Sequence, residues 1–303
     1  MELRDIEYFA VIADQRHIGR AAEALGLTQP ALSKGLRRLE QAMGAKLVRR
    51  TPKGVELTPE GVVLVSHVSQ LRLSLADVAR EIADLGKGRS GQLRIGVGPG
   101  HVEDLLRPAC SALVEHAPNV TLTVLVAAND ALLPALRKGD LDLIVSGIPV
   151  PQFEDLVQES LIDDDIVVFA SASHRLAKLK RVTVAELARE RWALTVVDAQ
   201  GWVLPQRTSV FERSGLREPK AAIRTSYLPL RDEMVTCSNL LGLSSRRYLR
   251  HIAQRLNVVE LPAGELTWAR RVGVSYRKDA YLSPAARRLI DLLNAAARQI
   301  ANE

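Results

Sequence analysis

The feature that most limits how this chain folds is a run of apolar residues, Leu64, Val68, Leu71, Leu75, Val78, Ile82 and Leu85, recurring at spacings of four and three without a break. That spacing keeps one face of a helix apolar through three heptads, the pattern of a seam between helices. Thr58-Pro59-Glu60 opens the helix with a capping side chain, a proline where a missing N–H costs little, and an acid at the positive end of the dipole. Gly86-Lys87-Gly88 closes it, for a length of about 28 residues and roughly 40 Å. The stripe either packs on the chain's own domain or pairs with a second copy. Its regularity on so long a rod favours the second. In both cases it divides the 303 residues into a small head, 1–58, a linker helix, 59–88, and a large remainder, 89–303.

The head holds the stretch HIGRAAEALGLTQPALSKGLRRLE, from His17 to Glu40. Ile6, Phe9, Ala10 and Ala13 form an apolar stripe on a first helix. Arg20 to Leu25 makes a short second helix whose Ala21 and Ala22 admit a close neighbour, and Gly26 supplies the turn. With Thr28 as N-cap, a third helix from Gln29 to Met43 gathers Leu32, Leu36 and Leu39 on one face. Pro30, Ser33, Lys34 and Arg37 fall opposite. Between Lys34 and Lys53 seven basic residues stand against one acid, Glu40. A solvated charged face on an ordinary helical bundle is the plain alternative. A helix-turn-helix, whose second motif helix enters the DNA major groove, accounts for more of the pattern. In LVRRTPKGVELT two short apolar-rich runs flank Thr51-Pro52-Lys53-Gly54, a type I turn. That predicts a β-hairpin wing whose Arg49, Arg50 and Lys53 reach phosphates, contacts that position a protein without reading sequence.

AAEALGLTQPALSKGLRRLE followed by LVRRTPKGVELTPEG resembles the winged helix-turn-helix of the LysR-type transcriptional regulators. The resemblance implies double-stranded promoter or operator DNA as partner, with Thr28, Gln29, Pro30, Ser33, Lys34 and Arg37 at the groove and Arg20 with the wing cations on the backbone. It also implies a homodimer through the linker helix, assembly onward to a tetramer, and RNA polymerase as a candidate partner. One departure stands out. His17-Ile18-Gly19 occupies the place of a Ser- or Thr-bearing segment that caps the second helix and touches phosphate, and Gly19 has only its backbone to cap with.

Beyond the Gly-rich GKGRSG, short apolar runs alternate with helical patterns. LRIGVG (93–98), TLTVLVA (121–127) and LDLIVSG (141–147) are strand-like, as are DIVVFAS (165–171), WALTVV (192–197), AAIRTS (221–226) and LGLSS (241–245). Thr183-Val184-Ala185-Glu186 is a capping box. RVGVSYRKD and the helix from Ser283-Pro284 look like an element returning to the first half. Two α/β lobes follow from the alternation. Their two crossings follow from the family's effector domain and its likeness to periplasmic binding proteins. The expected fold is therefore α/β with an N-terminal all-α winged helix-turn-helix, a long linker helix and a bilobed effector domain. Lobe I takes 89–163 plus 269–303, and lobe II takes 164–268.

Ligands of open α/β sheets sit beyond the carboxyl ends of strands. That places a small-molecule effector against Gly98, Pro99, Gly100 and His101, Asn129, and Ser146 and Gly147 in one lobe. In the other it points to Gln200, Trp202, Ser226 and Tyr227. A helix starting after His101 would aim free N–H groups at an anion, an aromatic acid among them. His101 as a surface residue and Trp202 as lobe core are the alternatives. An enzyme fits poorly: GVGPGH lacks the third glycine of a dinucleotide loop, and no zinc spacing or nucleophile elbow occurs. No metal, cofactor or catalytic residue is expected. Cys110 and Cys237, 127 positions apart, suit core thiols in a reducing cytoplasm better than a redox pair. A charged start and the lack of an uncharged run near ~18 residues predict a cytoplasmic protein rather than a membrane or exported one.

Overall fold

The computed structural model describes residues 2–52, 54–87, 91–195 and 203–301. The chain forms two compact units, Met1–Arg80 and Glu81–Glu303.

In the first, α1 (Leu3–Gln15), α2 (Ile18–Ala24) and α3 (Gln29–Met43) bury Phe9, Ile12, Ala21, Ala22, Leu32, Leu36 and Leu39 in one core. Gly35 lets α3 lie close on α1: a Cβ there would stand 2.8 Å from the Tyr8 ring and 3.1 Å from the Asp5 carboxylate. The antiparallel hairpin β1 (Val48–Thr51) and β2 (Gly54–Leu57) forms the wing, and Val55 and Leu47 seal the core. The short second helix starts two residues before the expected Arg20, for a reason given below. Helix α4 (Pro59–Lys87) follows, capped by Thr58, whose Oγ1 accepts from the Gly61 N–H at 3.0 Å. The apolar stripe on it is not uniform. Leu64 and Val65 pack on the head core and Val68 is buried, whereas Leu71, Leu75, Val78, Ile82 and Leu85 are 42–83% exposed. By length and composition alone Pro59–Leu85 is apolar enough to cross a bilayer, although charges such as Arg72 and Asp77 interrupt the run.

The second unit is built on one sheet. Strands β3 (Gly91–Val97), β4 (Val120–Val126) and β5 (Leu143–Ile148) are parallel, with β3 between the other two. Helices α5 (Arg107–His116) and α6 (Asn129–Lys138) connect them in βαβ fashion. Then comes β6 (Leu156–Ser171), a 16-residue strand, its first half written in polar letters that do not look like a strand. Its part from Leu156 to Ile166 pairs with β11 (Trp268–Arg277), and these two strands carry the chain between lobes. Gly273 sits at a register shift in this pair, where a Cβ would lie 2.0 Å from the Glu159 carbonyl oxygen. The second lobe adds α7 (Val184–Ala188), opened by the Thr183–Glu186 capping box, and β7 (Trp192–Thr195). It continues with α8 (Val203–Arg213), β8 (Ala221–Thr225), α9 (Leu228–Cys237), β9 (Leu241–Ser245), α10 (Arg246–Ala253) and β10 (Val258–Glu260). The strand order is β4-β3-β5-β11-β6-β9-β7-β8, with β10 paired to β6. Helix α11 (Pro284–Ala301) returns to the first lobe and, with α5, covers the core of Leu93, Ile95, Val145, Val272 and Val274. Trp192 and Leu243 belong to one core of the second lobe, Phe169 and Leu249 to another.

Candidate nucleic-acid interface and effector cleft

Helix α3 presents what its sequence predicts. Gln29, Pro30, Lys34 and Arg37 are exposed, Ser33 is half-buried, and the three leucines behind them are buried. Thr28 Oγ1 accepts from the Ala31 N–H at 3.4 Å. Arg38, one of the cations of the basic run, faces α1. Its guanidinium grips Asp5 through two bonds, Nη2 to Oδ1 at 2.6 Å and Nε to Oδ2 at 3.2 Å, and Asp5 is fully buried. Those bonds hold the Asp5 carboxyl below the usual range, burial opposing them. At the other end of α3, the buried Glu40 accepts from the Leu47 N–H at 3.1 Å and from Lys46 Nζ at 2.7 Å, tying helix to wing. On the wing, Arg49 pairs with its cross-strand neighbour Glu56 at 2.6 Å, and Arg50 is exposed. Lys53 lies outside the described residues.

The capping question at α2 has an unexpected answer. His17 itself is the cap: its Nδ1 accepts from the N–H groups of Gly19 at 3.1 Å and Arg20 at 3.4 Å. Gly19 therefore need not cap, and α2 begins at Ile18. With Nδ1 accepting, the proton sits on Nε2 of an exposed ring. Arg20 is also exposed.

In the second unit the loop after β3 folds differently from the expected helix start. Pro99–His101 is a 3₁₀ turn and Val102–Leu106 a π-helical turn, and α5 begins only at Arg107. The His101 N–H is spent on the Gly98 carbonyl at 2.9 Å. That amide is therefore not free to meet an anion. His101 is buried, and its Nε2 accepts from Arg270 Nη2 at 3.3 Å. Arg270 faces Asp164 across the β6–β11 pair, and the same Nη2 donates to Asp164 Oδ2 at 3.3 Å. Burial, reinforced by the neighbouring Arg270 cation, pushes the His101 pKa down to about 3, with Asp164 opposing. Burial also disfavours the charge of Arg270 itself.

Ser146 is buried in β5, and the Asn129 amide donates to the Gly147 carbonyl at 3.0 Å. Ser226 and Tyr227 are exposed at the end of β8, the edge strand, six strands from β3. The loop instead meets α10: a Cβ on Gly100 would lie 3.7 Å from Ser245 Cβ and 3.8 Å from Tyr248 Cβ. Gln200 and Trp202 lie outside the described residues. Tyr248 donates to Asp232 Oδ2 at 2.6 Å, and Arg231 clamps Asp232 Oδ1 while donating to the Leu243 carbonyl at 2.8 Å. Asp104, whose carboxyl burial raises, feels the opposing charges of His251 and Arg247 on α10. A cavity of about 220 Å³ opens between Asp163, Asp164 and Asp165 on β6 and Arg246, Arg247 and Arg250 on α10. The sequence signal for these residues was the acidic triplet and the double arginine after a strand. Arg270 carried none, since its partner is 106 positions away.

A winged helix-turn-helix with an exposed basic recognition helix, followed by an α/β unit with a polar interlobe site, defines a DNA-binding regulator with a ligand domain. Residues 3–62 match the bacterial regulatory helix-turn-helix proteins of the lysR family, and residues 86–298 match the LysR substrate binding domain. The chain belongs to the LysR family of transcriptional regulators. The HTH-type transcriptional regulator GbpR of Azospirillum brasilense is 26% identical over 304 residues, covering 98% of this chain and 86% of that protein. The dual regulator OxyR of Escherichia coli is 27% identical over 295 residues, covering 97% and 95%. Among solved structures, full-length CbnR complexed with its target DNA superposes with a TM-score of 0.62 at 16% identity, covering 98% of this chain and 100% of that one.

Proposed function

We propose that paired copies of this chain hold promoter or operator DNA through α3 and the wing, and that a small molecule bound between the lobes changes that hold. The exposed face of α3, Gln29, Pro30, Lys34 and Arg37 over a leucine core, carries the DNA half of this proposal. Thr28 shapes the start of that helix, Ser33 borders the face, and Arg20, Arg49, Arg50 and Lys53 supply backbone contacts. The division of labour is a head at 1–58, a linker helix at 59–88 and an effector domain at 89–303. Five exposed apolar residues on one stripe of α4 support a homodimer, with a tetramer as a pair of pairs. Such a protein works in the cytoplasm and passes its signal to RNA polymerase.

The effector site centres on Gly98–His101, Ser146 and Gly147, with α10 as the opposing wall. Of the two cysteines, Cys110 is half-buried in the first lobe with its thiol pushed up by burial, away from the reactive thiolate, whereas Cys237 on α9 is exposed and is not the core thiol expected of it. Signalling is accordingly assigned to the cleft rather than to a thiol pair. The test selects a binding duplex from a random library with the full-length protein, then titrates a panel of small acids against the complex. Gly100→Val adds an isopropyl group whose Cβ faces Ser245 and Tyr248. It should abolish the effector response and leave ligand-free DNA binding intact. An unchanged response in this variant rejects the cleft.

A further inference from the structure

Among the described residues, two buried polar atoms in the cleft have no hydrogen-bond partner, Asp164 Oδ1 and Arg270 Nε. Both belong to one cross-strand pair, and the contact between them is a poor version of what these groups can make. An arginine and a carboxylate facing each other ordinarily share two parallel bonds shorter than 3 Å. Here a single Nη2 is divided between Asp164 Oδ2 and His101 Nε2, each at 3.3 Å. The Asp164 side chain is wholly buried, yet its residue borders the 220 Å³ cavity. Buried polar groups are almost always satisfied, so a pair held open in this way marks a place where a further molecule completes the bonding.

The orphaned atoms define that molecule. Arg270 Nε needs an acceptor and Asp164 Oδ1 needs a donor, on neighbouring positions of paired strands. Their charges offset each other, and His101 is neutral. A simple anion would satisfy Nε and leave Oδ1 bare. A simple amine or alcohol would do the reverse. We propose that this site takes a small acid with a hydrogen-bond donor on the carbon beside its carboxylate, a 2-hydroxy or 2-amino acid. The carboxylate lies on Arg270 and the hydroxyl or ammonium on Asp164. The inference rests on the cleft assignment above and adds its chemistry. A 2-amino acid brings its own positive charge. A 2-hydroxy acid adds one net negative charge, which Arg247 and Arg250 at the cavity face.

The test uses one three-carbon skeleton, propanoate, L-lactate and L-alanine, titrated up to 20 mM into the full-length protein by calorimetry at fixed ionic strength. Lactate or alanine should bind at least about tenfold more tightly than propanoate, because a site built around a donor rejects the analogue that lacks it. Which of the two binds tells hydroxyl from ammonium. The double variant Asp164→Leu/Arg270→Met replaces the pair by apolar side chains of similar volume, an exchange buried ion pairs commonly survive. With its fold checked by circular dichroism, it should bind none of the three. Propanoate binding as tightly as the others, or no binding by lactate and alanine, overturns the proposal. So does a double variant that still discriminates, or a crystal soaked in either ligand that shows only a water between Nε and Oδ1. Propanoate binding that Gly100→Val removes would leave the cleft standing and reject only the donor requirement.

Discussion

His17 shows how one side chain can replace a missing motif. A serine or threonine caps a helix through its oxygen; here an imidazole nitrogen does so, accepting from two backbone N–H groups. His17→Ala should lower the stability of the head by roughly 1 kcal/mol, and His17→Ser should restore most of it. Thermal denaturation of the three proteins checks this, and equal midpoints would mean that the cap contributes nothing. His101 makes a prediction of a different kind. Its pKa is about 3 in the fold, against an ordinary value near 6.5, so between those two pH values the unfolded chain binds a proton that the folded chain does not. Its contribution therefore costs stability progressively as pH falls from about 6.5 towards 3, and is absent above that window. His101→Gln should flatten this part of the stability–pH curve, as denaturant titrations at several pH values would record. A variant with the wild-type slope would place the proton elsewhere, His174 being a second buried histidine shifted the same way. The sequence exposed His17 only as a departure from a pattern. It named His101 but left its burial open, since Arg270 and Asp164 reach it from distant strands.

Elements were more legible than side chains. Helix α3 matches its expected bounds because capping, proline placement and leucine spacing all agreed, and α4 was fixed by its seam. The first half of β6 was missed because QESLIDD reads as polar loop when its burial comes from pairing with β11. Strand β10 was missed because three residues show no period. The seam itself divides, its first part turning into the head and the rest exposed. Leu71→Asp with Leu75→Asp should therefore leave the head folded. Charge buried in a helix pair costs several kcal/mol, so the paired form should be lost. Sedimentation velocity should show a monomer or an aggregate. An unchanged oligomer would move the contact off this stripe.

At the scale of the molecule, the order of head, long helix and two-lobed domain could be read from patterning, while the crossings needed the family's likeness. The cleft could be placed only to the ends of strands, because strand ends name loops and not the partners those loops meet. Ser245 and Tyr248 face Gly100 through a topology that local sequence does not carry. The central claim, that α3 reads bases while the wing holds phosphates, is tested most directly on the selected operator and a scrambled duplex, with affinity measured across several salt concentrations. Arg37→Ala and Gln29→Ala should lose more on the operator than on the scrambled duplex. Arg50→Ala should lose on both, with a salt slope shallower by about one. Equal losses on the two duplexes for Arg37→Ala and Gln29→Ala would contradict the placement of α3 in the groove.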